Sequence, residues 1–313
     1  MAKLIKVVVG IPTFRRPQGL LRLLDSIALQ QVDFDVQVVV ADNDSEQQQG
    51  VKAVQSYREK GFPFPLHVNI VQERGISQVR NSLIEIAFDK LDADLLAMLD
   101  DDEIAERNWL DELVSMQLAT GAHVVGGHVT PEFEGEVPNW LQGLAIYYQD
   151  LPSLNGVVDL IEGTTNVLMH KSVVRDFPEQ KFDLYYSLVG GGDKEFFQRL
   201  KLLGATFAFA EKARSHEYFS ASRLTKAWAK ERSFRIGAGD MRIILKYHRS
   251  ATGMILELLK LVFAAGSALC QMIIYSDCAH KKMAATLLFY RQKGKVSALF
   301  GKQKAVYKNT HGS

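Results

Sequence analysis

The sequence predicts an α/β fold built on a mostly parallel central sheet, followed by a helical C-terminal extension. Three observations carry this prediction. The first hundred residues alternate short apolar runs with longer amphipathic stretches, the rhythm of βαβ units. The apolar runs end in polar clusters, the arrangement of an open sheet whose ligand site lies beyond the carboxyl ends of its strands. Helical patterns then dominate from Ser222 onward.

Taken in order, Val7 to Ile11 reads as a buried strand ending in Pro12-Thr13-Phe14-Arg15. Gly19 to Gln30 reads as a helix with Leu20, Leu23, Leu24 and Ile27 on one face. Val36 to Ala41 is a second strand, closed by Asp42-Asn43-Asp44-Ser45, and Leu66 to Val71 a third, closed by Glu73-Arg74-Gly75. A helix from Ser77, its expected N-cap, to about Asp89 leads to a fourth strand, Leu95 to Leu99, which runs into Asp100-Asp101-Asp102-Glu103. From about residue 121 the rhythm loosens into short strands, including Val167 to His170 and Thr206 to Ala210, with a helix starting near Asp193.

The chain has 313 residues, 47% apolar and 23% charged, which supports a sizeable core and excludes disordered, collagenous and disulfide-scaffold classes. The net charge of +1 points to no nucleic-acid partner, but the charge is unevenly spread. No acid follows Asp277, and Lys281, Lys282, Arg291, Lys293, Lys295, Lys302, Lys304 and Lys308 give the last 36 residues +8, leaving −7 for the remainder. Cys270 and Cys278 form no metal-ligand or redox spacing. The apolar run before Gly10 is too short for a secretory signal, which favours a cytoplasmic chain.

Gly253 to Tyr275 holds only Glu257 and Lys260 as charges and is long enough to invite a membrane-spanning assignment. Glu257, Lys260, Ala264, Ser267 and Gln271 recur at spacings of three and four, so the segment carries one narrow polar stripe. An in-plane helix at a membrane interface, with the basic tail against anionic headgroups, fits that pattern; packing on the preceding domain and a true span are the alternatives.

The acidic run after a buried strand is the sharpest chemical feature. Adjacent carboxylates repel one another, and a divalent cation such as Mg²⁺ or Mn²⁺, which prefers a few carboxylates plus substrate phosphate oxygens, relieves that repulsion. An exposed acidic turn leading into a helix near Asn108 is the competing explanation.

Taken together, Ile11-Pro12-Thr13-Phe14-Arg15-Arg16-Pro17, Val38 to Ser45, the Gly75 to Asn81 run, Leu99-Asp100-Asp101-Asp102-Glu103 and Gly192-Asp193-Lys194-Glu195-Phe196-Phe197 resemble glycosyltransferase family 2 with its Rossmann-like GT-A fold. The flavour is that of bacterial exopolysaccharide enzymes of the succinoglycan type. The resemblance covers roughly residues 5–235. It implies a GT-A domain over residues 1–220 and a helical, basic, membrane-associating region over 221–313.

The resemblance implies donor contacts from Pro12, Thr13, Arg15, Asp42 (to the uracil ring), Arg80, Asp100 (to ribose), Asp101 and Asn166, the last in Gly163-Thr164-Thr165-Asn166, which resembles the segment lining the sugar pocket. It implies a metal at Asp102, with His216 nearby, and a catalytic base at Asp193. Trp140, Gly192, Arg232 and Arg235 are candidates for diphosphate or acceptor contact. Each has a structural alternative: an Asx-turn at Asp42, a surface charge at Arg80, a helix cap at Asp193, an ordinary turn at Gly163 to Asn166, a structural His216, a core Trp140, and a lipid-facing basic surface for Arg232 and Arg235. Gly190-Gly191-Gly192 is expected to let substrate approach the backbone, and Gly237 and Gly239 to let the arginine segment move.

The implied activity is inverting transfer of a hexose from a UDP-sugar, UDP-glucose by resemblance, with Mn²⁺ or Mg²⁺. The acceptor is a polyprenyl-diphosphate-linked saccharide at the cytoplasmic face of a bacterial inner membrane, in exopolysaccharide or lipopolysaccharide synthesis. The chain departs from the family pattern where Gly192 precedes Asp193, since the family often has Glu there. This leaves open a catalytically inactive, membrane-docked assembly subunit with a vestigial nucleotide site.

Overall fold

The computed structural model describes residues 4–148, 155–177, 181–187, 189–247 and 250–301, so the basic residues Lys302, Lys304 and Lys308 lie outside the described part. Its centre is a sheet of order β3-β2-β1-β4-β8-β6-β9-β5, with β7 paired to β9. The strands are β1 (Lys6–Thr13), β2 (Asp35–Asp42), β3 (Leu66–Ile70), β4 (Leu95–Met98), β5 (Glu103–Ala105), β6 (Val124–Phe133), β7 (Gly156–Val158), β8 (Val167–His170) and β9 (Phe207–Phe219).

The half formed by β3, β2, β1 and β4 is wholly parallel, as the βαβ rhythm predicts. Beyond β4 the sheet becomes mixed, because β8 runs antiparallel to both β4 and β6 while β6 and β9 are parallel. The β9 strand is longer than the predicted Thr206 to Ala210, and it carries Arg214 to Phe219 into pairing with β6 and β5.

Helices α1 (Pro17–Ile27), α2 (Gln49–Lys60), α3 (Ile76–Glu85), α4 (Trp109–Thr120), α5 (Ser172–Arg175) and α6 (Gly192–Leu202) follow or cover the strands. Pro17 begins α1, where its missing N–H costs nothing, and Leu20, Leu23, Leu24 and Ile27 are fully buried against the inward residues of β1 and β2. Ser77 does not cap α3. It lies in the first turn and donates its Oγ hydrogen to the Asp183 carbonyl at 3.1 Å, while Gly75, with a φ of 149°, holds the cap position. The last turn of the predicted helix is a π-helical turn, Ile86–Lys90.

Three long helices end the described part of the structure: α7 (Lys226–Tyr247), α8 (Ala251–Ile274) and α9 (Ala279–Leu299). Met283 and Leu287 of α9 join Trp228 and Ala229 of α7 in a cluster with Leu141, Leu144, Tyr147 and Phe219. Gly237 does not serve as a hinge: it is buried within α7, where a Cβ would lie 1.9 Å from the Arg291 carbonyl oxygen, so glycine lets α7 and α9 touch backbone to backbone. Gly239 likewise packs beside Gly191.

Candidate active site

The carboxyl ends of β1, β2 and β4 open on one cleft of about 1050 Å³. Its floor comes from Pro12, Thr13, Asn43, Arg80 and Asp100 to Asp102, and its far wall from Asp193, Glu217, Arg223 and the start of α7. A Cβ on Gly19 of α1 would lie 2.3 Å from the Asp101 carbonyl oxygen, so glycine there lets the acidic loop sit down on the helix.

The acidic loop is held by a network of cations. Asp101 accepts from the Thr13 hydroxyl at 2.8 Å and from Arg16 at 3.0 Å. Asp102 is bridged by Arg16 at 2.9 Å and Arg223 at 2.8 Å. Burial raises the Asp102 carboxyl, but Arg223 and Arg16 outweigh it and hold the group below its ordinary range. Asp100 is the opposite case: burial, with Asp102, Asp193 and Asp101 nearby, pushes it up to about 7 despite Arg80. Glu103 anchors the loop from beneath, accepting from the Asp100 amide at 2.8 Å and the Ser215 hydroxyl at 2.7 Å, and burial raises it well above the usual range.

Arg80, only 5% exposed, joins the two halves of the site. One of its nitrogens pairs with Asp193 and the other lies 3.6 Å from Asp100. Asp193 is in the first turn of α6, yet its carboxylate does not cap the helix; its second oxygen accepts from the Thr164 hydroxyl at 2.9 Å. Gly190 and Gly191, with φ of 80° and 89°, supply the left-handed turn that feeds Asp193 into the cleft, a local role rather than a substrate-facing one. Gly192 is buried against Tyr186 and does not line the cleft.

Pro12, Thr13, Arg80, Asp100, Asp101, Asp102, Asp193, Arg232 and Arg235 thus meet around one cavity. The remaining candidates do not. Asp42 is fully buried, and its carboxylate accepts from the amides of Asp44 at 2.9 Å and Val51 at 3.1 Å, which is the Asx-turn. Asn43 lines the cleft instead, and its side chain pins the loop after β3 through the carbonyls of Val71 and Glu73 and the Gly75 amide.

Arg15 turns away to Asp44 and Glu46, and Arg16 takes the cleft position. Asn166 is fully buried and ties Trp109 Nε1 to the carbonyls of His128 and Ala213. Trp140 packs in the aromatic cluster, and Trp228, stacked on Tyr147 with ring centroids 5.5 Å apart, lines the cleft.

His216 pairs with Glu106 and Glu132 on the face of β9 away from the cleft, and side chains alternate along a strand, so its neighbour Glu217 points in. Among the described residues no group of three His, Cys, Asp or Glu side chains forms a ready metal cage. The donor chemistry still fits a hard divalent ion: Asp100 and Asp102 offer only oxygen, and Mg²⁺ or Mn²⁺ needs one or two carboxylates when substrate phosphates and water complete its shell.

The residues that sequence reasoning missed are Arg16, Asn43, Glu217, Arg223 and Trp228, all lining the cleft. Period-2 alternation along a longer β9 would have found Glu217, and the Pro17 helix start would have favoured Arg16 over Arg15.

Comparison with known proteins matches this arrangement to one family. The family model described as glycosyl transferase family 2 matches residues 8–177. A relative from Rhizobium meliloti (strain 1021), the succinoglycan biosynthesis protein ExoM, is 29% identical over 95% of this chain and 94% of its own length. Among solved structures, a mannosyltransferase from Pyrobaculum calidifontis in complex with GDP-Man and Mn²⁺ has a TM-score of 0.62 at 15% identity, covering 96% of this chain and 89% of that one. TarS 1-349 of S. aureus in complex with UDP-GlcNAc has a TM-score of 0.51 at 16% identity, covering 95% and 93%. The fold is GT-A, and with more than half of its length matched by the family model, the chain belongs to glycosyl transferase family 2.

Proposed function

We propose that this protein is an inverting hexosyltransferase that moves a sugar from a UDP-sugar to a lipid-linked oligosaccharide in bacterial exopolysaccharide assembly. The observation that supports the reading is the Asp100–Arg80–Asp193 chain, in which one guanidinium joins the acidic loop to a carboxylate on the far side of the cleft. Transfer with inversion needs a base that takes the acceptor hydroxyl proton and a counter-charge for the departing nucleoside diphosphate. Asp193 is the base, oriented by Thr164, and Arg80 lies where a diphosphate would draw it. Arg16, Arg223, Arg232 and Arg235 supply further positive charge around the leaving group. Asp102, with Asp100 toward ribose, would hold a Mn²⁺ or Mg²⁺ ion, which when bound neutralises developing phosphate charge.

The succinoglycan relative supports exopolysaccharide synthesis, and the UDP-GlcNAc complex of TarS supports a UDP-sugar donor, with UDP-glucose as the first candidate. The aromatic wall of Tyr147, Tyr148 and Trp228 suits an acceptor sugar, and the basic C-terminal helices suit the cytoplasmic face of an inner membrane bearing a polyprenyl-diphosphate acceptor. The test is UDP release from a panel of UDP-sugars with Mn²⁺ and membrane lipid extract. Wild-type protein transfers one sugar to lipid, and Asp193→Asn retains donor binding while turnover falls by about 10²-fold or more. A loss of less than about fivefold on a par with a remote control variant removes Asp193 from the role of base.

A further inference from the structure

The faces of α8 are turned the wrong way for water. Its half-buried and buried side runs through Glu257, Leu261, Ala264, Ala268 and Gln271, a three-and-four repeat seated on the neighbouring helices. Leu261 packs in a cluster with Ala238 and Met241 of α7 and Ala298 of α9. The polar stripe read from the sequence is therefore largely directed at the protein: Glu257, Ser267 and Gln271 are half-buried, and Gln271 donates to the Ser267 hydroxyl at 2.9 Å. The outward side is apolar, with Ile255, Leu259, Val262, Phe263 and Ile273 exposed, Phe263 at 80%. Lys260 is the one charge on that outward side among the described residues of α8, and it pairs with Glu257 at 2.7 Å.

At 24 residues and ~1.5 Å per residue, α8 is about 36 Å long, enough to cross a bilayer. Its neighbour forbids that orientation. α9 packs along it and carries Lys281, Lys282, Lys293 and Lys295, which a spanning α8 would draw toward hydrocarbon. α9 cannot separate from the body of the protein without loss, because Gly294 meets the backbone of Phe234 and Arg291 pairs with Asp240 at 2.6 Å. The same cations select the occupant. A second copy would bring an equally basic surface against this one, whereas anionic headgroups complement a stretch with no acid after Asp277.

We infer that α8 is an in-plane anchor: it lies along an anionic membrane surface, with its outward residues sunk to the boundary of headgroups and acyl chains, and does not cross the bilayer. This rests on the membrane part of the proposed function and is independent of the sugar-transfer chemistry. It also sets the cleft beside the lipid, since Met283 and Leu287 of α9 pack behind Trp228 of the cleft wall.

The test uses the full chain with Cys270 and Cys278 replaced by Ser and single spin labels at Ile255→Cys, Val262→Cys or Ile273→Cys, mixed with phosphatidylglycerol/phosphatidylethanolamine vesicles. The expected result is flotation with these vesicles, weakened by high salt and by Phe263→Glu by about tenfold in the lipid required, with all three labels at one shallow depth. A Val262 label much deeper than the two end labels overturns the in-plane placement and keeps the membrane reading. Flotation that is equal on purely zwitterionic vesicles overturns the role given to the basic residues. Labels that stay in water, with dimers in sedimentation and no flotation, overturn both the anchor and the membrane reading.

Discussion

Replacing Thr164 by Val keeps the shape of a residue that is 1% exposed and removes a single hydrogen bond, the 2.9 Å contact to Asp193 Oδ2. A hydrogen bond to a charged group contributes about 1.5–3 kcal/mol, which converts to a factor of roughly 10–100 when it is felt in the transition state. If Thr164 holds the base in line with the acceptor hydroxyl, that loss appears in kcat, while the KM for the UDP-sugar stays within about twofold because Thr164 is buried behind the cleft lining. Steady-state UDP release by wild type, Thr164→Val and Thr164→Ser separates these quantities. The Ser variant restores the hydroxyl and most of the rate. A Val variant with unchanged kcat, or a Ser variant as slow as Val, refutes the positioning role, because shape and not the hydroxyl would then be what matters.

Two further predictions concern stability. Gly237→Ala adds a Cβ 1.9 Å from the Arg291 carbonyl, and the resulting overpacking of about 1–3 kcal/mol exceeds the ~1 kcal/mol gained in helix propensity, so thermal melting shows a lower Tm; a raised Tm contradicts the close crossing of α7 and α9. Glu195 is fully buried, and although burial raises it, hydrogen bonds from Arg199, Lys246 and Tyr247 hold its carboxyl below the ordinary range. A depressed folded-state value means stability that is present above the unfolded value of 4.5 and lost as pH falls below it, so Glu195→Gln unfolds in less urea at pH 7 and shows a shallower decline from pH 5 to 3 than wild type. Parallel declines would assign the acid sensitivity to other carboxylates.

The parts of this molecule that were legible in sequence are those where a local pattern and the tertiary answer agree. Val167 to His170 is a strand at the predicted bounds, and β1, β2 and β4 differ from prediction by no more than two residues at either end, because strands buried on both faces read as unbroken apolar runs between turns. The clustering of Thr13 with the acidic loop followed from strand ends alone, whereas Arg80, in α3, entered only through the family resemblance.

Side-chain direction was not legible. Asp42 and Asn43 are neighbours in one turn, and which of them faces the cleft depends on the amides of Asp44 and Val51 that capture the carboxylate. His216 and Glu217 swap faces with one step along β9, so treating that strand as ending at Ala210 hid the alternation. On α8 the polar stripe was visible, but whether it met water or protein depended on α7 and α9, which no periodicity within α8 can reveal.

The central claim, a UDP-specific cleft built on the acidic loop, is tested most directly by calorimetric titration of the purified protein with UDP, with and without Mn²⁺, using GDP and ADP as controls. The account predicts UDP binding that strengthens with Mn²⁺ and loses that Mn²⁺ dependence in Asp102→Asn. Equal affinity for the three nucleotides, or a metal dependence untouched by Asp102→Asn, would contradict it.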